Sequence, residues 1–181
     1  MPSVCVYCGA RSGDDPRFAA QARAFGGALA AENWRLVYGA GDIGLMGEVA
    51  RAAQDAGGDT FGVIPTHLIA WEVGKTDLST FVVTETMHER KKVMLMNADA
   101  VAVLPGGAGS LDEMFEVLTW RQLGLHDKPV VLLNVAGYWE PLLALVDHVI
   151  DRGFADTSLR DYLTVVPDAD AAIAALRRGL S

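Results

Sequence analysis

Short runs of β-branched and other apolar residues alternate along this chain with longer stretches in which apolar positions recur every three or four residues. The first pattern marks strands and the second marks amphipathic helices, so the alternation predicts an α/β fold: an open parallel sheet with helices on both faces. Strands are predicted at Ser3–Tyr7, Arg35–Tyr38, Thr60–Ile64, Phe81–Thr84, Ala100–Leu104 and Val130–Asn134, with Leu163–Val166 as an added edge strand. Helices are predicted to begin near Pro16, Leu45, Met87, Leu111, Trp139 and Ala169. Pro16 behind Asp15 reads as a first helical residue behind its N-cap. Thr86-x-x-Glu89 and Ser110-x-x-Glu113 both have capping-box spacing. There is no internal repeat, low-complexity tract or linker, so residues 1–181 are expected to form a single domain. Thr66–Thr80 is the one long irregular connection, and long loops in compact domains are often functional.

Composition narrows the function classes. At 51% hydrophobic and 21% charged residues the chain is globular, not disordered. A net charge of −8 argues against a broad nucleic-acid footprint but leaves room for an anionic small ligand held by a local cluster. The chain enters a strand-like run directly after Met1-Pro2, and no apolar run approaches the roughly 20 residues of a membrane helix. The expectation is a cytoplasmic protein with no membrane partner. Cys5 and Cys8 form C-x-x-C, but a redox pair sits at a helix start. Here they belong to a strand and its end, so a core thiol and a loop thiol are expected.

Ligands of open parallel sheets bind beyond the carboxyl ends of the strands. Three glycine-bearing loops follow strands and are expected to share that edge: Cys8–Gly13, Gly39–Gly44 and Pro105–Ser110. The second matches G-x-G-x-x-G, yet it follows the second strand, and the third strand ends in Ile64-Pro65 where a ribose-binding acid belongs, which argues against a dinucleotide. The third loop is the strongest signal. A phosphate there would meet the N–H groups from Gly107 through Ala108, Gly109 and Ser110 to Leu111, together with the Ser110 hydroxyl and the helix dipole. Glu113 has two readings, and spacing alone favours the acid of a capping box over a catalytic carboxylate. In Met87-His88-Glu89-Arg90-Lys91-Lys92, Arg90 flanks an apolar stripe. It reads either as an anion or carboxylate partner or as a stem lying on the surface with its head in water. The four histidines show no metal-ligand spacing, so no metal is expected.

Met87-His88-Glu89-Arg90-Lys91 together with Pro105-Gly106-Gly107-Ala108-Gly109-Ser110-Leu111-Asp112-Glu113 resembles the signatures of the Lonely Guy family. These are cytokinin riboside 5′-monophosphate phosphoribohydrolases, often mislabelled lysine decarboxylases. Tyr38–Gly47, Thr119–Gly124 and His126-Asp127-Lys128-Pro129 extend the likeness over nearly the whole chain. The resemblance implies a Rossmann-like fold, a homodimer and no cofactor. Arg90 and Glu113 match the family's catalytic pair. Glu72, Lys91, Gly107, Ala108, Gly109, Ser110, Leu111, Asp112 and Thr119 match its substrate contacts, as Arg90 and Glu113 also do. Ser110 replaces the common Thr and keeps the hydroxyl; Ala40 replaces the common Gly, and its methyl is expected to narrow the site.

The chemistry so implied is hydrolysis of the N-glycosidic bond of an adenine-type nucleoside 5′-monophosphate, prenylated or plain, releasing the base and ribose 5-phosphate. Glu113 would stabilise oxocarbenium character and act on water, and Arg90 would offset charge on the leaving base. The alternative is a non-catalytic nucleotide or molybdenum-cofactor carrier on the same fold, which would need the phosphate loop but neither Glu113 nor Arg90. Pyridoxal phosphate chemistry lacks a recognisable lysine site.

Overall fold

The structure is a computed structural model that describes residues 1–69 and 74–181. Seven strands form one parallel sheet: β1 (Ser3–Tyr7), β2 (Arg35–Tyr38), β3 (Thr60–Pro65), β4 (Thr80–Thr84), β5 (Ala100–Val103), β6 (Val130–Leu133) and β7 (Leu163–Val166). Their order is β4-β3-β2-β1-β5-β6-β7, so the chain steps outward from β1 to β4, returns to place β5 against β1, and steps outward again to β7. The helices are α1 (Pro16–Ala31), α2 (Gly44–Asp55), α3 (Met87–Met96), α4 (Ala108–Gln122), α5 (Glu140–Asp151), α6 (Ser158–Asp161) and α7 (Ala169–Leu180). This is a Rossmann-like α/β domain. The short α6 carried no signal in the apolar pattern.

Period-2 alternation along the strands divides the core in two. Val4 and Val6 of β1, Leu36 and Tyr38 of β2 and Ala100 and Ala102 of β5 pack under α1, α2 and α7. Cys5 and Tyr7, Val37, and Val101 and Val103 pack on the opposite face under α3, α4 and α5. Both cysteines are buried. Burial, with the Glu113 charge in support, pushes the Cys5 thiol far above its ordinary value against a hydrogen bond to Tyr7 that lowers it, which makes it an inert core group. No helix among the described residues is long and apolar enough to cross a membrane.

Two predicted helix starts are seen as read. The Asp15 side chain accepts from Arg17 N–H ahead of Pro16, and Thr86 and Glu89 form both bonds of a capping box. The third differs. α4 begins at Ala108 behind Gly107, whose carbonyl accepts from Leu111 N–H at 3.0 Å. Ser110 is therefore the third helical residue and not the cap, and Glu113 sits six residues in, outside capping-box register. Within Thr66–Thr80, Thr66–Leu68 forms a 3₁₀ turn. Beyond it, Gly74 bridges back to Gly41, and Lys75 N–H donates to Ala40 O at 2.8 Å.

Candidate active site

The reversal between β1 and β5 opens a crevice at the carboxyl edge of the sheet, where a parallel sheet takes its ligands. A cavity of about 590 Å³ fills it. Its floor is the loop after β1 (Cys8–Asp14) and the loop after β5 with the first turn of α4 (Pro105–Ser110). Its walls are Phe18, Leu45, Met46, Leu68, Met87, Arg90, Glu113 and Tyr138.

The two floor loops are tied together by Gly9 N–H, which donates to Pro105 O at 3.0 Å. A Cβ on Gly106 would collide with Ser110 Oγ, so only glycine lets the loop turn so tightly into the helix. The N–H groups of Ala108, Gly109 and Ser110 precede the first intrahelical bond of α4 and have no acceptor within the helix. With the helix dipole they form an anion site. The start of α2 offers no equivalent. Its Leu45 and Met46 N–H groups both donate to Gly9 O, at 3.0 and 3.3 Å.

The Gly39–Gly44 loop, expected on the ligand edge, thus does not line the cavity; it supports the cavity from behind. Asp42 is held by Arg51 at 2.8 Å, and the buried Ala40 turns its methyl toward Gly62, away from the site it was expected to narrow. The Gly39 carbonyl accepts from Arg90 Nη2 at 2.6 Å, while Arg90 Nε donates to Val63 O at 3.1 Å. A Cβ on Gly39 would collide with that guanidinium. Arg90, 3% exposed, is held in one orientation by the ends of two strands and still lines the cavity. It is not a solvated surface arginine. Glu113 lines the same cavity from α4. Its charge also reaches the phenol of Tyr7, which burial, Cys5 and Glu113 together raise well above the usual value.

The structure thus brings Arg90, Gly107, Ala108, Gly109, Ser110 and Glu113 to one cavity. Lys91, Leu111, Asp112 and Thr119 do not line it. Lys91 Nζ faces α4 and lies 3.0 Å from both Asp112 and Glu116, and Thr119 Oγ1 donates to Phe115 O at 2.7 Å within its own helix. Glu72 lies outside the described residues. His126 and Lys128 are structural: His126 Nε2 bonds Val117 O at 2.8 Å and Lys128 Nζ donates to Ala98 O at 2.6 Å. Sequence reasoning missed Arg11, Phe18 and Tyr138 as cavity residues. Arg11 lay within a glycine loop that had been recognised, so its signal was present. Among the described residues no three His, Cys, Asp or Glu side chains converge as a metal-ligand set.

Residues 46–176 match the family described as "possible lysine decarboxylase". The chain is 44% identical over 176 residues to the cytokinin riboside 5′-monophosphate phosphoribohydrolase of Rhodococcoides fascians, covering 97% of this chain and 89% of that protein. It is 42% identical to one from Arabidopsis thaliana, covering 92% and 77%. The chain belongs to the Lonely Guy family. The Lonely Guy likeness spans both halves of the cavity, since the aligned stretches cover nearly all of this chain. The molybdenum cofactor binding protein of Rippkaea orientalis (TM-score 0.76, 20% identity, 100% of this chain and 98% of that one) shares the fold. So does the molybdenum cofactor carrier protein of Chlamydomonas reinhardtii (TM-score 0.73, 24% identity, 99% and 98%). At those identities the likeness is one of architecture.

Proposed function

We propose that this protein hydrolyses the N-glycosidic bond of a prenylated adenine nucleoside 5′-monophosphate, releasing the free base and ribose 5-phosphate. The observation that carries the reading is the convergence of three unlike groups on one cavity: the open N-terminus of α4, the strand-held guanidinium of Arg90 and the carboxylate of Glu113. The phosphate takes the N–H groups of Ala108 to Ser110. The sugar then lies within reach of Glu113, so binding energy from the phosphate positions the reacting carbon.

As the C1′–N9 bond breaks, its electron pair passes to the base and positive charge develops on the ribose. Glu113 stabilises that charge and takes a proton from the attacking water, while Arg90 offsets the negative charge on the leaving base, which acquires a proton as it departs. Phe18, Leu45, Met46, Leu68 and Met87 give the cavity an apolar side suited to an N6-prenyl group. Plain adenosine monophosphate would leave that side unfilled and is the poorer substrate. The reading extends to a cytoplasmic homodimer, with the exposed Phe115, Leu123 and Leu125 on and just beyond α4 as its contact. A cofactor carrier on this fold would need neither Arg90 nor Glu113 in its cavity.

The test is to incubate the protein with prenylated adenosine monophosphate, with adenosine monophosphate and with the prenylated nucleoside, and to measure free base. The expected order is prenylated monophosphate first, plain monophosphate next and nucleoside last by a wide margin. Equal specificity constants for the monophosphate and its nucleoside would overturn the phosphate site.

A further inference from the structure

The loop that would bind phosphate is held by a residue outside the motif that contains it. Tyr138 follows β6, the neighbour of β5 in the sheet, and its hydroxyl donates to the Gly106 carbonyl at 2.6 Å. In a trans peptide the C=O and N–H point in opposite directions, so fixing one fixes the other. Gly9 N–H holds the Pro105 carbonyl, which sets the Gly106 N–H. Tyr138 holds the Gly106 carbonyl, which sets the Gly107 N–H at the threshold of α4. Gly106 has no Cβ to restrict its backbone, so these two tethers decide which way the loop's donors face.

The placement of Tyr138 is itself over-determined. Asn134 Oδ1 accepts from Trp139 N–H at 2.7 Å, and Asn134 Nδ2 donates to Glu140 at 2.6 Å. Between them the chain passes through two successive left-handed residues, Ala136 (φ 55°) and Gly137 (φ 74°). That conformation disfavours alanine, and such strain persists only where the surroundings enforce it. The Tyr138 ring meets Phe18 edge-on, with centroids 5.4 Å apart, and Trp139 at 4.7 Å.

We propose that Tyr138 is a positioning residue for the phosphate loop, its hydroxyl holding the Gly106–Gly107 peptide so that the α4 N-terminus is presented to a ribose 5′-phosphate. The proposal rests on reading that N-terminus as the phosphate site. Tyr138→Phe keeps both ring contacts and removes only the tether. Its Kd for ribose 5-phosphate and its KM for the monophosphate should each rise roughly five- to tenfold, the scale of one neutral hydrogen bond. Turnover at saturation and competitive inhibition by free adenine should stay at wild-type values. A residue that served packing alone would leave ribose 5-phosphate binding unmoved in this variant, so wild-type affinity in Tyr138→Phe overturns the proposal. Calorimetry on the wild type separates the two levels. If the wild type binds no ribose 5-phosphate, the phosphate-site reading fails first and the role of Tyr138 falls with it.

Discussion

Replacing Glu113 by Gln changes one atom of a side chain that lines the cavity and leaves the cavity's volume alone. If the carboxylate works on water and on the developing oxocarbenium, turnover of the monophosphate should fall by roughly two to four orders of magnitude, the scale of a lost general base. Affinity for ribose 5-phosphate, read by calorimetry, should stay close to wild type, because the phosphate donors are backbone groups about one turn away. Wild-type turnover in Glu113→Gln would leave the carboxylate without a chemical role and put the carrier reading in front. Spacing alone could not assign this residue. Ser110-x-x-Glu113 imitates a capping box because Ala108-Gly109 reads as loop, glycine being a poor helix former. Tertiary contacts draw both residues into α4 and shift the true cap to Gly107. Arg90 was ambiguous for a similar reason. Its two carbonyl partners, Gly39 and Val63, lie 51 and 27 residues away, and no local pattern encodes them.

At the level of elements, α3 and α4 bring Arg90 and Glu113 to the site, and an ion cluster centred on the buried Lys91 links the two helices. Lys91, 5% exposed, sits between Asp112 and Glu116, each 3.0 Å from its ammonium. The neighbours of these residues in sequence are Arg90 and Glu113. Burial disfavours the Lys91 charge, but the bonds to Asp112 and Glu116 outweigh it and the pKa is raised. A raised lysine pKa contributes stability that is whole below the unfolded value and is lost as pH rises through the folded one. The clamp is therefore intact across neutral pH and opens only above about 10.4, the ordinary lysine value. Lys91→Met should melt below wild type by an interval that is constant from pH 6 to 9 and shrinks at higher pH. Its turnover should drop about ten- to a hundredfold, since small misplacements of reacting groups carry costs of that order. Its ribose 5-phosphate affinity should hold. A selective loss of substrate affinity would instead make Lys91 a substrate contact, as the family resemblance implies. The strands and most helix starts were legible from period and caps. What was hidden is which helix faces which, because ion clusters between elements leave no periodic trace.

For the molecule as a whole, strand order decides which loops matter. Three glycine loops looked alike in sequence, yet only those after β1 and β5 flank the reversal and line the cavity. Strand order was not in the pattern, so the Gly39–Gly44 loop was grouped with them. The same α4 that turns Glu113 inward turns other side chains away from the core. Met114, Val117 and Leu118 are buried, whereas Phe115 on α4, Leu123 at its C-cap and Leu125 in the turn beyond are exposed. Exposed large apolar side chains on and just beyond one helix mark a surface that another chain covers. Light scattering at micromolar concentration should therefore give the mass of two chains. Replacing both Leu123 and Leu125 by Glu places charge where an apolar contact would close, and should yield monomers, since charged residues are depleted at interface centres. These positions lie outside the cavity, so ribose 5-phosphate binding in the monomeric variant reports whether pairing also supports the site. A wild-type protein that scatters as one chain at micromolar concentration would rule out the dimer and leave these apolar side chains exposed in solution.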